Sequence, residues 1–395
     1  MGTSTKRSLT SFLFPLLFSI TFVLGQFGRL DVWGASFYIH EIVLFLGFVW
    51  YVPKIWKQKA EFHRALLFPS VAFVIAIILS IIFSLGDKSN TQLFLASGYL
   101  IRFIAYSSLV LLVPVTGGYR NWGRSLSIAG FVFALAGVVQ FFLYPDLRNI
   151  AYQGWDPHYM RFVSTLFDPN IAGFMLISFL LITFLLYQTE QKYRKILGLV
   201  LVLEVTAIIL TFSRSSIVTL AVILAAYSAM KKIWWPIFVA VGVGVLSFIF
   251  VPTGSFLSPM RIVSALARAD NFAKGITLFQ SLPVTGVGWF MVPAFENTSE
   301  ITRAYGRLDN SFLFVLASTG IVGFSAFIWL VLRIGTLVKD GIRNGNQKNT
   351  VILIGLILLT LVIHSQFENI FFSAWGLMWW WVSVGLLISL QKNDS

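Results

Sequence analysis

Apolar runs close to twenty residues long, separated by short polar breaks, recur from one end of this 395-residue chain to the other. A helix needs about twenty residues to cross roughly 30 Å of hydrocarbon. A spanning segment must also satisfy its own backbone, as a helix or as a strand of a closed barrel. Barrel strands alternate polar and apolar residues over about ten positions, and these runs do not. The pattern therefore predicts an all-α polytopic membrane protein of about twelve transmembrane helices, with residues 1–395 forming one integral membrane domain. The expected spans run from Leu9 to Phe27, Ala35 to Val52, Leu66 to Leu85 and Thr91 to Val113. A fifth ends near Tyr144, a sixth starts at Pro169 and a seventh covers Ile196 to Phe212. An eighth follows the tight turn Ser213–Ser215 and a ninth follows Lys231 and Lys232. The last three cover Ser311 to Leu332, Val351 to Phe367 and Phe371 to Leu390. The first apolar run is longer than the core of a signal peptide and lacks an A-x-A site, so it reads as an uncleaved helix.

One break differs from the rest. Residues 253–310, between the ninth and tenth spans, form the only stretch polar enough to build structure in water. It carries Arg261, Arg268, Lys274, Arg303 and Arg307 and ends on Asp309 and Asn310. Phe272, Ile276 and Phe279 repeat at helical spacing and Pro283 ends the run. This predicts an amphipathic surface helix of about twelve residues, followed by a tight turn at Gly286–Gly288.

Composition sharpens the class. Hydrophobic residues make up 57% of the chain and charged residues 11%, against about a quarter charged in soluble proteins. The formal net charge of +13 reflects topology rather than nucleic-acid binding, because Lys and Arg concentrate in cytoplasmic loops. With the N-terminus inside, about 18 of the 29 Lys and Arg fall on the cytoplasmic side. Both termini are then cytoplasmic and the long loop is on the outer, periplasmic face of a bacterial plasma membrane, where ATP and nucleotide sugars are absent. There is no cysteine, and the four histidines are far apart in sequence. No metal site or cofactor is expected.

Several residues could carry chemistry. Arg214 stands in the tight turn T-F-S-R-S-S, where it either snorkels to lipid headgroups or clamps an anionic substrate through its planar fork. Arg268 is a second candidate of this kind and Arg261 a weaker third. Asp309 and Asn310 open the tenth span as N-caps, and Asp309 could also take a proton from an acceptor hydroxyl. Asp168-Pro169-Asn170 reads as a cap with Pro in the first turn. Arg102 and Glu204 are isolated charges in mid-span and are expected to pair. His364, Gln366 and Glu368 could line one cavity at the outer end of the eleventh span.

These residues, in this order, resemble the O-antigen ligase and O-antigen polymerase family. The resemblance rests on L-T-F-S-R-S-S-I-V-T-L around Arg214 and on R-x-x-x-(aromatic)…P-x-x-G-x-G, here Arg268, Phe272, Pro283, Gly286 and Gly288. It extends to Asp309, Asn310, Phe312, Leu313, Gly320 and Gly323, and to R-F-V-S-T-L-F-D-P-N from Arg161 to Asn170. The resemblance implies a metal-independent, inverting membrane glycosyltransferase using a glycan on undecaprenyl pyrophosphate. Its partners would be that lipid-linked oligosaccharide, a glycan or lipid acceptor, membrane lipids and a chain-length regulator. Arg214 and Arg268 would hold the pyrophosphate, with Arg161, Arg261 and Asn310 assisting, and Asp309 would be the base. Family ligases generally have a histidine where Asp309 stands, which favours a repeat-unit polymerase over a ligase. A flippase is the competing class, but the paired discontinuous helices and internal repeats of transporters are not evident.

Overall fold

The computed structural model describes residues 2–32, 35–58, 64–84, 86, 90–153, 157–250, 259–291 and 308–391. The fold is all-α apart from one two-stranded ribbon. Against the roughly twelve spans expected from apolar run length, six described helices are long and apolar enough to cross a membrane. Four more are apolar but shorter, at 10–17 residues. The protein is a multi-pass membrane protein.

The chain begins with α1 (Gly2–Val23), a ribbon of β1 (Arg29–Val32) and β2 (Ala35–Tyr38), then α2 (Ile39–Lys57) and α3 (Arg64–Phe83). It continues through α4 (Asn90–Ser107), α5 (Leu109–Val115), α6 (Gly118–Leu143), α7 (Pro169–Thr189), α8 (Arg194–Leu210), α9 (Arg214–Lys231) and α10 (Trp235–Ile249). The last described helices are α11 (Pro259–Ser281), α12 (Ser311–Asn344), α13 (Lys348–His364) and α14 (Ala374–Gln391). A helix that is apolar all round has to be buried, and α14 shows this most clearly. Every residue from Ala374 to Leu390 is buried, and α14 packs against α4, α5, α6, α12 and α13. Trp379, Trp380 and Trp381 fill the space between them, and the Trp379 indole N–H points at Met175 Sδ, 3.2 Å away.

Two elements depart from the hydropathy pattern. The helix expected to follow Arg268 is longer, 23 residues from Pro259 to Ser281, and it contains Arg268. Strong helix formers in S-A-L-A-R-A carry it upstream. It packs on α12, where a Cβ on Gly275 would meet Leu313 at 2.4 Å. Residues 253–258 and 292–307 of the expected long loop, the latter with Arg303 and Arg307, lie outside the described residues.

The second departure is α12, which does not run straight. Residues fifteen apart on one straight helix lie about 22 Å apart along the axis, yet the Phe312 and Phe327 ring centroids are separated by 5.6 Å. The bend is at Gly320, with φ 62° and ψ −168°. The residues around Gly286, where φ is 72°, lock into it. Val287 N–H donates to Ala317 O and Gly288 N–H to Ser318 O, at 3.0 and 3.1 Å, and Ile321 N–H donates to Pro283 O at 2.9 Å. A Cβ on Gly320 would lie 2.3 Å from Val284 O, and one on Gly286 2.3 Å from Ser318 C. Only glycine permits both the positive φ and this backbone contact. Gly320→Ala or Gly286→Ala should destabilise the protein by about 2–4 kcal/mol, read as a lowered melting temperature in nanodiscs. Because the joint also sets α11 against α12, transfer activity should fall with it.

The expected pairing of Arg102 with Glu204 is corrected. Arg102 Nε lies 2.6 Å from Glu41 Oε1, and its guanidinium also donates to the Ser36 carbonyl of the ribbon. Glu204 instead accepts from Thr183 Oγ1 at 3.0 Å, between α7 and α8. Sequence shows that both charges are buried but not which way each helix is turned, and α4 is turned toward α2.

Candidate functional site

The turn between α8 and α9 is the best-braced part of the site. Phe212 takes a positive φ of 47°, and Ser213 caps α9 by accepting from Ser216 N–H at 3.3 Å. Arg161, expected to touch substrate, braces this turn. Its Nε–H donates to Thr211 O at 3.0 Å and an Nη2–H to Phe212 O at 3.5 Å, while Phe162 N–H donates to Leu210 O at 2.9 Å. Arg214 therefore emerges as the first residue of a fixed helix. Its side chain is exposed and, among the described residues, has no hydrogen-bond or ion-pair partner. The partial positive charge of the α9 N-terminus adds to its attraction for an anion.

From that turn a chain of polar contacts runs to α11. Asp168 caps α7, accepting from the Asn170 and Ile171 N–H groups, with Pro169 in the first turn as expected. This fixes Asn170, whose Oδ1 accepts from Ser213 Oγ at 2.8 Å while its Nδ2 donates to Glu368 Oε1 at 2.9 Å. Glu368 in turn faces Arg268, with Nη2 at 3.8 Å from Oε1. Four segments that are remote in sequence thus converge at the α9 N-terminus: the α7 cap, the α8–α9 turn, α11 and the α13–α14 connection.

Asp309 and Asn310 divide the roles expected of both. Asn310 is the cap of α12, its Oδ1 accepting from Phe312 and Leu313 N–H at 2.9 and 3.0 Å. Its Nδ2 donates to Gln366 Oε1 at 3.0 Å. Asp309 N–H donates to Asn271 Oδ1 at 2.9 Å, tying α11 to the start of α12.

Sequence reading grouped Glu368 with His364 and Gln366 but did not place it among the catalytic candidates. Its carboxyl is held well above the usual carboxylate range, first by burial and then by the negative charges of Asp168 and Asp309. Arg268 and the Asn170 amide oppose the shift without cancelling it. An acid that is buried, next to other carboxylates and facing an arginine is the kind of group found at reactive centres. Gln366 joins the cluster through Asn310, and His364 borders it through the Asn170 backbone and within reach of the Arg268 charge. It is buried, with Nδ1 3.5 Å from Thr219 Oγ1 and its ring against Phe174. The side chain of Arg261 lies outside the described residues. Among the described residues no group of His, Asp and Glu side chains could hold a metal ion.

Residues 199–328 match the family model described as Wzy_C, O-antigen ligase. The match supports the O-antigen ligase and polymerase family. It spans Arg214, Arg268, Asp309, Asn310 and the interlocked Gly286 and Gly320. Arg161, Asp168, Asn170, Gln366 and Glu368 lie outside the matched stretch, and only the fold brings them to it. No curated protein matches the chain.

Proposed function

We propose that this protein is a glycosyltransferase acting at the outer face of the bacterial plasma membrane on a glycan carried by undecaprenyl pyrophosphate, and that it polymerises repeat units. The observation that carries this is the contact chain Ser213–Asn170–Glu368–Arg268, which joins the helix start bearing Arg214 to Arg268. The acid in that chain is partly buried and faces the Arg268 guanidinium, and the helix start that carries Arg214 lies at its other end.

The chemistry follows from those groups. Arg214 and Arg268 bind the pyrophosphate and stabilise the charge that grows on it as its bond to the anomeric carbon breaks. The incoming sugar hydroxyl attacks that carbon from the opposite face, so the configuration inverts, and its proton passes to a carboxylate. Glu368 is the better base of the acids present, because a carboxyl held well above the usual carboxylate range by burial and neighbouring negative charge accepts a proton more readily than an ordinary carboxylate. Asp309 helps to keep Glu368 in that state. With two arginines supplying positive charge, this route needs no metal.

A second reading, a ligase passing the finished glycan to a lipid acceptor, is favoured by the description of the matching family model. Envelope polysaccharide from a deletion strain separates the two on a gel. Loss of the long ladder, with single repeat units capping the lipid core, is the expected result and identifies a polymerase. Long chains that stay on the carrier identify a ligase. Complementation by wild type but not by Arg214→Ala ties either outcome to this site.

A further inference from the structure

Below the cluster lies an apolar cavity that the chemistry above does not use. It has a volume of about 230 Å³ and runs between α12 and α13, lined only by Val, Ile, Leu, Gly, Phe and Trp. Its upper lining includes Val362 near the end of α13 and Phe371 in the loop that carries Glu368. Phe371 N–H donates to Ser311 Oγ at 3.2 Å, and Ser311 Oγ donates to Glu368 O at 3.3 Å. The upper end of the cavity is therefore two hydrogen bonds from the backbone of Glu368, the residue that faces Arg268. At the other end the helices close up, since a Cβ on Gly355 would meet Val338 at 2.7 Å and one on Gly341 would meet Val351 at 3.0 Å. Between mouth and floor, Gly335 lines the cavity and has nothing within 4 Å of where its Cβ would be. The cavity is thus apolar, closed at its deep end, and its upper end borders the segment that carries Glu368.

We propose that this groove seats the first part of the apolar polyisoprenoid tail of the lipid-linked donor, which rests on the donor reading above. A ligand whose anionic head is held by Arg214 and Arg268 must send its tail into hydrocarbon within a few ångströms, and this groove starts at the loop that bears Glu368. Two larger-scale alternatives are less well placed. The cavity of about 430 Å³ among α7, α8, α9 and α10 is lined on α9 by Leu220 and residues beyond it, more than a turn below Arg214. The cavity of about 270 Å³ between α2 and α4–α5 has no lining residue in common with the cluster's elements. Seating the tail would fix the height and direction of the pyrophosphate as well as bind it, using apolar area remote from the reacting bond.

Gly335 makes the test clean, because a Cβ added at this cavity-lining position meets no existing atom within 4 Å. By the Gly355–Val338 contact it lies opposite Leu358, about 9 Å below the end of α13 at the helical rise. Purified Gly335→Leu and Gly335→Ala, in nanodiscs, are compared with wild type on two donors bearing the same glycan pyrophosphate. One donor carries the full undecaprenyl chain and the other a chain cut to two isoprene units. The expected result is that Gly335→Leu slows transfer from the full-length donor at least tenfold, Gly335→Ala does so less, and the short donor is transferred at the wild-type rate by both. Wild-type transfer of the full-length donor by Gly335→Leu, or equal losses on both donors, would overturn the groove as the tail site; an ordinary phospholipid acyl chain in the groove gives the first of these. Failure of wild type on both donors would instead remove the transferase reading and the groove assignment with it. Leu224→Trp, which fills the larger cavity, serves as the control and should leave both donors unaffected.

Discussion

Arg214→Ala and Arg268→Ala are each expected to cut glycan transfer by about 10²–10³-fold, the usual cost of removing one preorganised donor from a developing oxyanion. The two should differ in everything else. Arg214 is exposed and, among the described residues, unpartnered, so its loss strands nothing, and the melting temperature should match wild type. Arg214→Lys should recover little activity, because a point charge cannot reproduce two-pronged binding of phosphate oxygens. Arg268 faces Glu368 at 3.8 Å and is the cation that opposes the upward shift of that acid. Removing it should push the carboxyl further up, so the acid limb of the pH–rate profile moves to higher pH in Arg268→Ala and stays in place in Arg214→Ala. Rates are measured on donor at saturation, with membrane insertion checked by yield in the membrane fraction. Wild-type transfer in both variants would rule out the clamp.

Glu368→Gln should lower transfer by about 10²–10⁴-fold, the range for loss of a positioned general base, while leaving the protein as stable as wild type or more so. The sign follows from the direction of the shift. The folded-state pKa of Glu368 is raised above its unfolded value by burial and by Asp168 and Asp309. Its contribution to stability is therefore fully present below the ordinary carboxylate pKa of about 4.3 and is lost as pH rises through the raised value. Glutamine has no proton to lose, so the advantage of Glu368→Gln in melting temperature should grow as pH rises. The rate has the opposite dependence, since a base works only when deprotonated. Wild-type activity should fall as pH drops through the raised pKa, and this limb should be absent from the residual activity of Glu368→Gln. Asp309→Asn removes one of the charges holding Glu368 up, and should move the limb to lower pH. A variant at position 368 that is both active and less stable would show a structural acid and overturn its role as base.

Much of this organisation was legible in the chain itself, because it depends on neighbours in sequence. Apolar runs too long for a loop have to enter the bilayer as helices. Asp168 before Pro169 has to start one, and Gly286–Gly288 after Pro283 reads as a tight turn. The polar stretch ahead of α12 and the arginine in the α8–α9 turn were visible for the same reason, as polar groups placed against hydrocarbon. Hydropathy records which residues leave water, not which way each helix is turned or what it touches. That is why Arg102 was matched with Glu204 although packing turns it to Glu41, and why the bracing of the α8–α9 turn by Arg161 was not foreseen. It is also why Asp309 and Asn310 could not be told apart until Asn310 took the α12 N–H groups. Glu368, 198 residues from Asn170 and 100 from Arg268 in the chain, becomes part of the site only through the packing of α7, α9, α11 and α13. The sequence alone determined a membrane-embedded bundle with a polar, cationic end, since transfer of each residue from water is a local property. Which acid faces which arginine at that end was decided only by the tertiary structure, because close packing sets helix rotation and neighbours through contacts that no short window of sequence contains.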